Sequence, residues 1–353
     1  MHKTRILALV IVLTSLAASS HAQSFVLDLP RDSQHAMVMQ RIGITDITIN
    51  YHRPLANGRQ IWGKLVPYGQ VWRSGANENT TISFSDPVAI EGQALDKGTY
   101  GLHMIPDKDQ WTVIFSKAND SWGSFTYDQK EDALRVTVKP QPAEMHEALT
   151  YDIDQVKKDS AVVVLAWEKV AVPFKVAVNT NDVVAASLHK QLRGLSQYTW
   201  EGWDDAATYL FTNKTHLEDA LKDEDQSIQV EERFENLLNK SRILDALNRK
   251  DEAKTVQAKA LTKASPIQMH IYARQLQGEK RQDEAFAIFR ANFKKYPDQW
   301  FVHSGMARVY TAQGDYDNAV KEMKAAMAGA PDQNKPFVEG LVKKLENKED
   351  INQ

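Results

Sequence analysis

Hydrophobic and polar residues alternate with a period of two along the first half of the chain, from about residue 26 to residue 178. This period is typical of β-strands that bury one face, because successive side chains of a strand point to opposite faces. The clearest runs are residues 47–51, 100–105, 111–115 and 134–138. Residues 161–167 are apolar throughout, which predicts a central strand covered on both faces. About nine to eleven short strands at this spacing predict an antiparallel sandwich or a jelly-roll-like barrel.

Neither a strand period nor a helical period runs through residues 51–81, which predicts a structured loop. The stretch holds two Trp, two Tyr, three Arg, four Gly and two Pro. Loops this rich in aromatic residues and Arg often carry binding sites on a rigid scaffold. The sequence therefore directs the search for a site to this stretch.

The period changes after Val178, and a helix capped by Asn181 or Asp182 is predicted to run toward Leu195. Beyond this helix the sequence repeats. The residue types at positions 273, 285 and 297 are the same as those at positions 307, 319 and 331. That spacing is the tetratricopeptide period. Less regular copies extend the series to four, anchored by Ala220, Ala253, Ala285 and Ala319. A last helix over about residues 336–347 has the polar outer face of a cap.

The N-terminus has the pattern of a signal peptide. Lys3 and Arg5 precede an apolar run over residues 6–16, and Ala22 ends a segment that resembles a signal-peptide cleavage site. The run is shorter than the ~20 residues that a membrane-spanning helix needs, so an uncleaved anchor is the less favoured alternative. We therefore predict an exported protein, periplasmic or extracellular, with no membrane span after cleavage. The expected parts are a signal peptide (1–22), an all-β domain (23–179) and an all-α repeat domain (180–353).

The composition is that of a soluble globular protein, with 42% hydrophobic and 25% charged residues. A formal net charge of −3 gives no reason to expect a nucleic acid partner. The absence of Cys excludes disulfides, thiolate metal sites and a Cys nucleophile. No phosphate-binding loop, dinucleotide fingerprint or zinc-protease helix occurs, so no cofactor is predicted.

Several long segments of the first half resemble a known bacterial family, the domain of unknown function numbered 2911. They are I-G-I-T at 42–45, Y-H-R-P at 51–54, G-R-Q-I-W-G-K-L-V-P-Y-G at 58–69, V-W-R-S-G-A-N-E-N-T-T at 71–81, K-G-T-Y-G-L-H-M-I-P at 97–106, W-T-V-I-F-S at 111–116 and W-G-S-F-T-Y-D at 122–128. The resemblance implies an exported bacterial protein with a β-rich domain, often followed by tetratricopeptide repeats. It implies no reaction.

The candidate site is a pocket for a carboxylate, phosphate or sulfate group. Arg53, Arg59 and Arg73 supply fork-shaped donors with a fixed charge. The remaining candidate ligand residues are Trp62, Tyr68 and Trp72 as stacking walls, together with Asn77, Glu78 and His103. The alternative is that the three Arg bond to loop carbonyls and pair with Glu78, Asp46 or Asp86.

Glu78 has two possible roles, general base or partner of an Arg, and we favour the second because nearby cations stabilise its charged form. His52, His103 and Glu78 have the donor types of a metal site, but their spacing does not require one, and no metal is predicted. Ser74 and Ser124 lack the motif that activates a serine nucleophile. Tryptophans in strand contexts are interpreted as core residues: Trp111, Trp122 and Trp167.

Three hypotheses about function remain open. The first is a binding module for an anionic, carbohydrate or peptide ligand, with the repeats holding a protein or peptide partner. The second is a cell-envelope hydrolase or isomerase that uses Glu78 or His103 as the acid or base. The third is an assembly protein that works mainly through its repeats. In a further alternative, the helices only pack against the β half.

Overall fold

The computed structural model describes residues 30–352 of the chain. The chain divides into two compact units, one of residues up to 42 and 46–177, and the other of residues 43–45 and 178 onward. The predicted signal peptide, with Lys3, Arg5 and the cleavage site after Ala22, lies outside the described residues. No helix within residues 30–352 has the length and apolar character that crossing a membrane requires.

Ten strands make up the first unit within the described residues. Their bounds are β1 Gln34–Ile42, β2 Thr45–Arg53, β3 Thr81–Phe84, β4 Val88–Ile90, β5 Gln93–Leu95, β6 Gly98–Ile105, β7 Trp111–Ser116, β8 Asp132–Val138, β9 Gln141–Asp154 and β10 Ser160–Ala177. Six strands form one sheet in the order β1-β2-β3-β6-β7-β8, and four form a second in the order β5-β4-β10-β9. The registered pairs are antiparallel.

Aromatic side chains from the two sheets meet in the core of the first unit. Phe115 on β7 and Phe174 on β10 lie 5.9 Å apart between ring centroids, and both are fully buried. The two sheets therefore face each other, and the predicted antiparallel sandwich is confirmed. Most of residues 51–81 are also as predicted, since residues 54–80 form a long loop between β2 and β3, whereas residues 51–53 end β2 and Thr81 begins β3.

The burial of two strands differs from the pattern in the sequence. On β6 both faces are buried, including His103, because residues 121–128 cover the face that alternation alone assigns to solvent. On β10 the apolar run is not covered equally on both sides, since Val162 and Val164 are only half-buried between fully buried neighbours. Trp122 is a third difference: it was interpreted as core, and it is exposed on the loop that covers β6.

The second unit contains ten helices within the described residues. Their bounds are α1 Thr180–Gln191, α2 Trp200–Thr212, α3 Leu217–Val230, α4 Phe234–Ala246, α5 Lys250–Lys263, α6 Pro266–Gly278, α7 Gln282–Lys295, α8 Trp300–Ala312, α9 Tyr316–Gly329 and α10 Lys335–Glu346. Four hairpins follow one another, α2–α3, α4–α5, α6–α7 and α8–α9, and α10 packs on α9. The first helix begins earlier than predicted, because Asn179 caps it by accepting a hydrogen bond from the Asp182 backbone N–H.

The four alanines that anchor the repeats are buried on the second helix of each hairpin: Ala220, Ala253, Ala285 and Ala319. Small side chains at these positions let the two helices of a hairpin approach closely. The predicted repeat array of the all-α half is therefore confirmed. One face of the array, which we call the first face, is formed by the first helices of the four hairpins: α2, α4, α6 and α8.

Candidate functional site

Two of the three residues predicted as stacking walls belong to a cluster of four tryptophans. The Trp62 ring centroid lies 4.8 Å from that of Trp111 and 5.8 Å from those of Trp72 and Trp167. Trp72 stacks on Trp167 at 6.0 Å. Trp62 is only 7% exposed, so its ring is part of the core and does not form the wall of an open pocket. Tyr68, the third predicted wall, is partly exposed at the surface.

The three arginines of this stretch do not converge. Arg53 donates from Nε to the Leu149 carbonyl at 2.9 Å and from Nη2 to Thr150 Oγ1 at 2.7 Å. Arg59 donates to two carbonyls of its own loop, at 3.1 and 2.5 Å. Both side chains satisfy backbone acceptors, as buried polar groups normally require. The alternative with loop carbonyls as partners therefore describes Arg59, whereas Arg53 bonds to β9 instead. The suggested carboxylate partners contact neither of them.

Arg73 lies where two loops of the sheet unit meet, and we call residues 73–79 and 121–125 the paired loops. Its Nη1 donates to the Asn77 carbonyl at 2.9 Å, and its guanidinium lies 5.9 Å from the centre of the Phe125 ring. The same group packs against Gly123, where a Cβ would be 2.5 Å from Nη1. Burial lowers the pKa of Arg73. Asn77 is held in turn by Ser33, whose carbonyl accepts from Asn77 Nδ2 at 3.2 Å.

Glu78 is the partner of an arginine that the sequence did not indicate. Arg31 Nη1 donates to both carboxylate oxygens, at 2.7 and 2.9 Å, and His52 Nε2 lies 3.5 Å from Oε2. Partial burial alone would raise the pKa of Glu78, but the Arg31 hydrogen bond and the nearby positive charges outweigh it and hold the pKa below its usual value. A carboxylate held in this way is a weak base. Arg31 also lies 5.6 Å from the centre of the exposed Trp122 ring.

His103 is buried beneath the paired loops, and its Nδ1 lies 2.8 Å from Ser124 Oγ. Burial lowers the pKa of His103 to about 4, against a smaller opposing effect of Asp132, so the imidazole is neutral at pH 7. Next to it, Tyr127 donates its hydroxyl proton to Asp132 Oδ2 at 2.7 Å, and Arg135 donates from Nε to the same oxygen at 2.5 Å. The other oxygen of Asp132 is buried and accepts no hydrogen bond from a donor within residues 30–352. A serine hydroxyl, a neutral imidazole and a carboxylate are thus grouped in one place.

His52 and Glu78 are neighbours, whereas His103 belongs to the separate group around Ser124. Over residues 30–352, no group of three or more His, Asp or Glu side chains has the arrangement of a metal site.

A cavity of about 330 Å³ opens on the first face of the helical array, between α2, α4 and α6, and we call it the helical groove. Its wall combines apolar side chains, among them Leu238 and Ile271, with polar groups of Asp204, Asn239 and Gln275. Ile271 is 59% exposed, so a large aliphatic side chain on the wall is accessible to a ligand. The groove therefore offers both apolar contact and hydrogen bonding to a ligand.

Comparison with protein families gives one match in each half of the chain. Residues 33–176 match the family model described as a protein of unknown function, DUF2911. These residues form a DUF2911 domain. Residues 234–262 match a tetratricopeptide repeat model, and they coincide with the α4–α5 hairpin. The DUF2911 domain is therefore followed by tetratricopeptide repeats, as the sequence predicts.

Two solved repeat proteins are similar to the chain at low identity. The first is YrrB, described as a TPR protein with an unusual peptide-binding site, at 16% identity over 47% of this chain and 84% of that chain, with a TM-score of 0.29. The second is yeast Tom70, at 14% identity over 46% of this chain and 43% of that chain, with a TM-score of 0.26. The search of curated proteins found no match.

The sequence did not point to Arg31, which binds Glu78 of the paired loops, or to Phe125 within them, and it gave Ser124 no role. Phe125 is 83% exposed, and together with Trp122 it places two aromatic rings at the surface beside two arginines. The available signal was the segment W-G-S-F at 122–125, which puts two aromatic residues around a Gly-Ser pair outside any strand period. A ligand role for Arg73, Asn77, Glu78 and His103 stays a prediction.

Proposed function

We propose that the protein is an exported binding protein whose helical groove holds an extended segment of a partner protein. The observation that carries this proposal is the open cavity between α2, α4 and α6, on a face made by successive repeats. Arrays of this kind use such surfaces for extended ligands, and tetratricopeptide repeats are interaction modules. Export is inferred from Lys3, Arg5 and the apolar run that follows them.

The chemistry of the groove supports a peptide as the occupant. An extended peptide presents alternating side chains and unpaired backbone groups, which need both apolar contact and hydrogen-bonding partners. Ile271 and Leu238 provide the first, and the side-chain amide of Gln275 provides the second. In this proposal the paired loops of the DUF2911 domain are a separate ligand site, where Arg73 and Phe125 offer a cation and an aromatic face.

Replacing Ile271 by aspartate should abolish most peptide binding, because a charge on the groove wall removes apolar contact and must be desolvated by the ligand. We expect an affinity loss of about tenfold or more for peptides selected on an immobilised random-peptide array. The matched control is Val156→Asp, which changes an aliphatic residue of the DUF2911 domain that is 47% exposed and lies outside the groove. Equal binding by the wild-type protein and Ile271→Asp would refute the proposed groove.

A second candidate function is hydrolysis by the DUF2911 domain, and the specific observation that favours it is the 2.8 Å contact between Ser124 Oγ and His103 Nδ1. A serine beside a neutral imidazole has the pairing of an activated nucleophile and its base. In this candidate, Ser124 Oγ attacks the substrate carbonyl and its proton passes to His103 Nδ1. Glu78 is not the base, because Arg31 and His52 hold its charged form.

A fluorophosphonate probe tests this candidate directly. Attack of Ser124 Oγ forms a bond to phosphorus, fluoride leaves, and the hydroxyl proton goes to His103. We expect labelling that disappears in Ser124→Ala, persists in Ser74→Ala and falls as the pH drops through about 4, where burial places the pKa of His103. Mass spectrometry of the labelled peptide locates the adduct. An unlabelled wild-type protein at neutral pH would remove hydrolysis by Ser124 from consideration.

A further inference from the structure

Two carboxyl groups share Asn239 as a partner, one on the wall of the helical groove and one buried behind it, and no basic side chain among the described residues pairs with either. Glu224 on α3 is fully buried, and Asp204 on α2 is half-buried and lines the cavity. Asn239 on α4 joins them, since its Nδ2 lies 2.8 Å from Glu224 Oε2 and 3.4 Å from Asp204 Oδ1. The second oxygen of Glu224, Oε1, is buried and accepts no hydrogen bond from any described donor.

The charged groups that act most strongly on these carboxyl groups are themselves acidic. Asp205 and Glu235 act on Asp204, and Asp223 acts on Glu224. Burial and then the charge of Asp204 raise the pKa of Glu224 to about 10, and burial raises the pKa of Asp204 as well. At pH 7 the pair therefore holds a proton. This proton neutralises one of the two negative charges, as a bound cation would otherwise do. Buried carboxyl groups normally have a basic partner or a metal, and here the described residues supply neither.

Arg242 is the basic residue on the wall of the same cavity, and it is engaged elsewhere. Its Nη2 donates to Gln275 Oε1 at 2.5 Å, and its guanidinium lies 5.8 Å from the centre of the Tyr272 ring. A metal ion fits the acidic pair poorly, because Asn239 turns its amide nitrogen, a donor, toward both carboxyl groups. A group that brings its own N–H donors fits it well.

We propose that Asp204 and Glu224, positioned by Asn239, bind the ammonium or guanidinium group of a Lys or Arg side chain in the partner segment. This inference rests on the proposed peptide-binding function of the groove. The side chain enters between α2 and α4, its methylene stem packs against Leu238, and its N–H groups donate to the two carboxylates. When the cation binds, the pair releases its proton to solvent, so the net charge of the occupied site equals that of the free site.

The test is a double-mutant cycle with a peptide that the wild-type protein selects on the random-peptide array. The first change is Glu224→Gln in the protein, and the second is norleucine in place of the basic residue of the peptide. We expect each single change to weaken binding about tenfold or more, and the double change to cost little beyond either one. The matched control is Glu218→Gln, which removes an exposed negative charge from α3, the helix that carries Glu224, and should leave the affinity within about twofold.

Proton release gives a second readout that a purely structural role of Glu224 would not produce. Calorimetry in buffers with different ionisation enthalpies should show protons released when the basic peptide binds, and none with the norleucine peptide. Additive mutational effects, or selected peptides without Lys or Arg, would overturn the basic-side-chain site and leave peptide binding intact. Failure of the wild-type protein to bind any peptide would instead overturn the proposed function itself.

Discussion

Replacing Trp62 by alanine should lower the free energy of unfolding of the DUF2911 domain by about 3–5 kcal/mol. The ring is almost fully buried, and it contacts the rings of Trp72, Trp111 and Trp167. Truncation leaves a cavity that the rigid neighbouring rings cannot fill, so the lost transfer free energy and the lost packing add together. Chemical denaturation followed by circular dichroism measures the change.

Tyr68→Ala is the matched control, because both residues were predicted as walls of the same ligand pocket. Tyr68 is partly exposed at the surface, and we expect its truncation to cost about 1 kcal/mol or less. A Trp62→Ala variant as stable as Tyr68→Ala would mean that the Trp62 ring is not part of the core.

Replacing Glu224 by glutamine should stabilise the helical domain at neutral pH. Burial and the charge of Asp204 raise the pKa of Glu224 to about 10 in the folded protein, whereas an unfolded chain has the ordinary value of 4.5. Between these values the folded state holds a proton that the unfolded state releases, so stability falls as the pH rises through this window. At pH 7 the loss is about 3 kcal/mol. A glutamine amide keeps the contact with Asn239 and donates to Asp204 without that loss.

The pH profile of stability distinguishes this effect from a change in packing. Urea denaturation from about pH 5 to about pH 9 should show stability that decreases with pH in the wild-type protein and less steeply in Glu224→Gln. Glu218→Gln, an exposed change on the same helix as Glu224, should follow the wild-type profile within about 0.5 kcal/mol. Parallel profiles for the wild-type protein and Glu224→Gln would mean that Glu224 is ionised in the folded protein.

The fold could be predicted because each half of the sequence has a periodic pattern of residue types, and that pattern reflects which side chains are buried. The run at residues 111–115 became β7, since alternate side chains of a strand share one face. The repeat was readable from positions where helices must approach closely, as at Ala285 and Ala319, and these side chains are fully buried. Even in the less regular copy, the anchoring Ala253 is buried on the second helix of its hairpin. This copy matches a repeat model.

The site was less predictable because its contacts join residues that no local spacing relates. Arg31 and Glu78 are separated by 47 positions, and His103 and Ser124 by 21, so only the folded chain pairs them. Trp122 was misassigned to the core because a tryptophan in a loop has no periodic neighbours that indicate which way it faces. The burial of Glu224 was hidden for a similar reason, since an acidic residue in a helix is normally assigned to the solvent face.

The tryptophan cluster gives the DUF2911 domain an optical signature of its own. Four of the eight tryptophans of the chain have ring centroids within 6.0 Å of at least one other member, in T-shaped or stacked pairs. Aromatic transitions at such distances couple as excitons and give paired bands of opposite sign in the circular dichroism spectrum. These bands vanish when the rings separate, while the helical signal of the repeats is unaffected. Unfolding of each half can therefore be followed in the intact chain without any attached label.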